Sequence, residues 1–146
     1  MAETLGMLCD KLTIVKLKQY HTDDQKRLES LDIQAKQLQQ EINTYVSDAV
    51  NRLIPVANLT FAANKVYKKE GNEIAEISGN IGQLFFQLAE INCKLWHEVE
   101  KGYDIKNVPL NEKDNLVKQL AILNLERNNC IDTIDLTFKT IIEKNV

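Results

Sequence analysis

The chain has 146 residues and a formal net charge of −3. That length suits one domain able to bury roughly two-thirds of the surface its unfolded chain exposes, so a core needs no disulfide or metal staple. The acidic balance argues against a dedicated nucleic-acid binder, which carries a basic excess, and no apolar run approaches a membrane span.

The spacing predicts a first helix over about 2–20. Leu5, Leu8, Leu12 and Val15 make one apolar stripe, and Met7, Ile14 and Leu17 make another. A helix apolar on two sides belongs in the centre of its bundle. "HTDDQ" breaks the pattern and offers Thr22 as an N-cap. A long second helix is expected to run to about Ile54, because Leu28, Leu31, Ala35, Leu38, Ile42, Tyr45 and Ala49 alternate three and four apart. Pro55 must end or kink it, having no N–H to donate. "VANLTFAANKVYKK" reads as weakly helical, and Gly71 with Asn72 marks the next stop.

A third helix is expected from about Glu73 to Lys101, on the repeat Ile74, Ile77, Ile81, Leu84, Leu88, Ile91 and Leu95. Gly79 and Gly82 weaken its first half. "GYDIKNVP" reads as a loop. Asn111, with Asp114 three residues on, reads as the cap of a fourth helix that runs nearly to the C-terminus. The expected fold is an all-α, antiparallel four-helix-type bundle with a break near Pro55, forming one domain over 1–146.

Two of the seams end in charge. The third helix's seam continues past Leu95 to Glu98, and the fourth's continues past Leu120 and Leu123 to Arg127. Asn124, Asn128, Asp132 and Asp135 form a polar stripe beside Arg127. Asn92 precedes Glu98, and Trp96 and His97 stand next to it. On the first helix, Lys11 and Lys18 fall at the core margin, with Asp10 on the adjacent stripe. One reading is that these groups satisfy one another: a buried Glu–Arg pair extended by Asn side chains fixes register while adding little net stability. The other is a polar pocket. In it Lys11, Lys18 and Arg127 supply cationic donors to a phosphate or carboxylate. Trp96 offers a face to a ring, and His97, Glu98, Asn124, Asn128 and Asp132 line the rest.

"DKLTIVKLK", "INCKLWHEVEK" and "LAILNLERNNCIDTID", in this order, resemble the sequence elements of a bacterial helical domain of unknown function, family 4254 of that series. The matching residues are Asp10 to Lys18, Leu95 to Glu98 or Glu100, and Asn124 to Asp135; the stretch from about Val50 to Gly71 adds nothing specific. The resemblance implies a gene neighbourhood of glycosyltransferases and polysaccharide clusters. It implies no established activity, and a family label alone does not specify function.

Catalysis is not expected. "HEVEK" gives E-x-E and "IDTID" gives a lone D-x-x-D, short of the paired E-x-x-E and E-x-x-D of an all-α pyrophosphohydrolase. The two E-x-x-H motifs of a di-iron bundle are missing, as are a P-loop and G-x-S-x-G. Cys9, Cys93 and Cys130 form no C-x-x-C and read as reduced, packed thiols in a cytoplasmic protein. The expectation is a non-enzymatic module, without cofactor or metal, that holds an anionic small molecule such as a nucleotide, nucleotide-derived signal or nucleotide-sugar, as a sequestering protein would. The alternative is an accessory interaction protein of a glycan-assembly enzyme, with the polar residues as a buried register-fixing network. A homo-oligomer is expected, with no nucleic-acid or membrane partner.

Overall fold

A computed structural model describes residues 2–62 and 77–145. Helix α1 spans Leu5–Tyr20, α2 Gln25–Val50, α3 Ile81–Tyr103 and α4 Leu110–Lys144, with short 3-10 turns at Val56–Leu59 and Ile105–Asn107. The fold is an all-α bundle of four helices with no strand among the described residues, and none of its helices is long and apolar enough to cross a membrane.

Helix α1 is central, as its double stripe requires, and it packs against α2, α3 and α4. Its Leu5 joins a core with Leu84, Leu88 and Ile91 of α3 and Cys130, Ile131, Ile134 and Phe138 of α4. Its Leu8 and Val15 join a second core with Leu31 and Leu38 of α2. Each such buried aliphatic side chain stabilises the fold by about 1.5–3 kcal/mol relative to exposure. Gly6 permits the closest approach of α1 to α4: a Cβ there would lie 2.6 Å from the Ile131 carbonyl oxygen.

The helix ends differ from the sequence expectation, each for a local reason. Asp24, not Thr22, caps α2, its carboxylate accepting the Arg27 N–H, while Thr22 accepts the Asp24 N–H. Helix α2 stops at Val50, before Pro55 is reached. Arg52 adopts a left-handed φ of 62°; the Arg52 N–H bonds to the Ala49 carbonyl and the Leu53 N–H to that of Asp48, which closes the helix in a Schellman arrangement. The Arg52 guanidinium then donates to the Ile142 carbonyl at 2.9 Å, tying the end of α2 to the last turn of α4. Pro55 instead opens the 3-10 turn.

Helix α3 begins at Ile81 rather than near Glu73. Gly79 sits at φ 132°, and Asn80 and Gln83 form a reciprocal capping box. Ile77 packs on the core from outside the helix. Glu73, Ile74 and the Gly71–Asn72 stop lie outside the described residues, as does the later part of the weakly helical segment. Pro109, not Asn111, occupies the N-cap of α4.

Candidate functional site

The Arg127 guanidinium meets Asp10 of α1, not Glu98. Its Nε lies 3.3 Å from Asp10 Oδ1, with Asp10 nearly buried and Arg127 about 30% exposed. The Nε–H is not aimed at the carboxylate, so the contact is coulombic rather than a formed hydrogen bond. Asn92 of α3 reaches the same carboxylate from the other side. Its Nδ2 donates to Asp10 Oδ1 at 2.9 Å and to Thr13 Oγ1 at 2.7 Å, and the Thr13 hydroxyl donates to the Asp10 backbone carbonyl at 2.7 Å. Asp10 is thus the hub at which α1, α3 and α4 meet.

A second carboxylate holds the N-terminus of α1. Asp135 of α4 is 3% exposed and accepts the Gly6 N–H at 2.7 Å. Thr4 is the N-cap of α1, its Oγ1 accepting the Met7 N–H, and it favours the charged form of Asp135. Helix α4 therefore satisfies an N-terminal donor that α1 cannot satisfy itself. Burial pushes the Asp135 carboxyl up to about 6, against the pull of Thr4 and Gly6 and with a further push from Asp132.

Among the other expected site residues, Lys11, Glu98, Trp96 and His97 have partners other than Arg127. Lys11 pairs with Glu3 at the exposed edge of α1, and Lys18 is exposed in the last turn of α1. Glu98 pairs with Lys101 at 3.0 Å, one turn along its own helix. Asn124 is exposed, and Asn128 and Asp132 are half-buried. Trp96 and His97 belong to a separate cluster where α1 ends. The His21 ring stacks on Trp96 with centroids 4.9 Å apart, and His97 lies 6.4 Å from His21. The Trp96 indole donates to Glu100 at 2.7 Å.

Sequence reasoning left Asp10, Thr13, Asn92 and Asp135 off the list of binding residues. Two signals pointed to them: Asp10 interrupts a helix apolar on two sides, and Asp135 adjoins Ile134 in the buried stripe of α4. Gly6 carried the signal of a lone glycine inside a helix.

Burial pushes the Cys9 thiol up to about 11, helped by Asp135 and Asp10. Burial and then Asp10 do the same for Cys130, whose Sγ donates to the Leu84 carbonyl. These two thiols are protonated at neutral pH and poorly suited to nucleophilic chemistry. No group of three or more His, Cys, Asp or Glu is placed to enclose a metal among the described residues. A groove of about 660 Å³ runs between α1 and α2; Glu3, Glu41 and Asp48 line it with Lys11, so its charge is not that of an anion site. No family model matches this chain, and no curated protein or solved structure gives a significant match to it.

Proposed function

We propose that this chain is a non-catalytic helical interaction module whose buried polar residues fix helix register. The observation that carries this reading is the meeting of Arg127 with Asp10, which gives this guanidinium a partner inside the fold. Register is a fitting task for it: a slip of one turn along α1 would part Asp10 from both Arg127 and Asn92, and stranded buried charge is costly. Large apolar side chains left on the surface support an interaction role, among them Phe86 of α3 at 72% exposure and Val117 of α4 at 64%. A homo-oligomer, or an accessory role beside a glycan-assembly enzyme, extends this reading. The enzyme partner rests on the family resemblance alone.

The anionic-ligand reading keeps one point in its favour, the solvent-reaching part of the Arg127 side chain. Native mass spectrometry of the purified chain, with wild type and Arg127→Ala compared for stability, separates the two. The interaction reading expects no co-purifying small molecule and a destabilised variant. A co-purifying nucleotide or nucleotide-sugar that is lost from a fully stable Arg127→Ala protein would overturn it.

A further inference from the structure

The chain's only two histidines come from different helices and meet around its single tryptophan. His21 follows the last residue of α1, and its Nδ1 lies 2.8 Å from the Leu17 carbonyl oxygen. A carbonyl can only accept, so Nδ1 carries the proton in this contact. The neutral ring then presents Nε2 as a free lone pair. His97 projects from α3 with its Nδ1 4.0 Å from a Glu100 carboxylate oxygen. His21 thus has an oxygen partner on one ring nitrogen and a lone pair on the other, the arrangement that orients metal-binding imidazoles.

We propose that His21 and His97 form a two-imidazole surface site for a borderline divalent transition ion of the Cu²⁺ or Zn²⁺ class, with water completing its coordination. The ring centroids are 6.4 Å apart and the rings nearly perpendicular. Two Nε2 ligands each at about 2.0–2.1 Å from one ion need the rings somewhat closer than this. His97 can supply that movement, since its side chain is two-thirds exposed. His21 is the fixed member, held by the Leu17 carbonyl and by its stack on Trp96. The Glu100 carboxylate, anchored by the Trp96 indole, lies behind the His97 ring on its Nδ1 side. Two protein ligands make an open site, and Cu²⁺ binds more tightly than Zn²⁺ at nitrogen donors.

Trp96 is a built-in reporter, because the ring stacked on it is a ligand. Untagged protein is titrated with Cu²⁺ while tryptophan fluorescence is read. The expected result is saturable quenching at one ion per chain, weakened at least about tenfold in both His21→Ala and His97→Ala. In parallel, Zn²⁺ is titrated into the wild type while the imidazole proton resonances are followed by NMR; this needs no variant. Both histidines are expected to shift together with one binding curve. Quenching that survives either substitution, or a Zn²⁺ titration that moves only one histidine or neither, overturns the proposal.

Discussion

Asp10 and Arg127 stand 3.3 Å apart across α1 and α4, and Asn92 of α3 donates to the same carboxylate oxygen. Removing either charged partner leaves the other without its counter-charge. Asp10→Ala and Arg127→Ala are each expected to destabilise the fold by about 1–3 kcal/mol, below the 3–5 kcal/mol of a fully buried pair because Arg127 reaches solvent. The double variant should cost clearly less than the sum of the two. Urea denaturation of all four proteins measures that coupling, and strict additivity would show that the pair does not hold register.

Asp135 gives the fold a pH dependence of definite sign. Its carboxyl is raised from 3.8 to about 6 in the folded chain, mainly by burial. Between those values the native state therefore holds more proton than the unfolded state, and stability falls as pH rises from about 4 to 6. The contribution is on the order of 3 kcal/mol. Asp135→Asn keeps an acceptor for the Gly6 N–H without the charge, so it should flatten this slope. Thermal melts of both proteins from pH 4 to 7 test it; parallel slopes would mean that another group is responsible.

Gly6 is the point where α1 presses on α4. An added Cβ would meet the Ile131 carbonyl oxygen at 2.6 Å and the Asp135 Oδ1 at 2.9 Å. The first of these is backbone and cannot swing aside. Overpacking of this kind costs about 1–3 kcal/mol, opposed by alanine's helix preference of roughly 1 kcal/mol. Gly6→Ala is expected to lower the unfolding midpoint, and an unchanged or raised midpoint would show that the helices can part freely.

Arg52 accepts a left-handed backbone, worth roughly 1–2 kcal/mol of strain in a residue with a Cβ, and its side chain caps α4. The two roles separate by substitution. Arg52→Ala keeps the strain and loses the cap, whereas Arg52→Gly loses both. Alanine should therefore destabilise by about 1 kcal/mol, and glycine by less. A glycine variant weaker than the alanine one would show that the backbone strain is not the controlling term.

The apolar seams were legible because burial writes itself into spacing. Leu31, Leu38 and Ala49 on α2, and Leu84, Leu88 and Ile91 on α3, are buried as their positions require. Helix ends were less legible. The Ile77-to-Ile81 spacing continues the seam of α3, yet the helix does not, because Gly79 turns the chain and Asn80 with Gln83 offers a better start. The Asn-x-x-Gln box was there to be read. Arg127 stands out in the sequence as a break in its seam, but its partner does not, because Asp10 lies more than a hundred positions away and only tertiary packing selects it over Glu98. The same limit hid the meeting of His21 with His97.

The hub at Asp10 also bears on the order of events during synthesis. Helix α1 leaves the ribosome well before α3 and α4, which carry Asn92 and Arg127. Until they emerge, Asp10 and the N-terminal donors of α1 have only water to answer them. The nascent chain can pair α1 with α2 early, through Leu8, Val15, Leu31 and Leu38. The core that closes over Leu5 must wait for α4. Through that interval an apolar face of α1 remains uncovered, which is the stage at which chaperones would have most to hold.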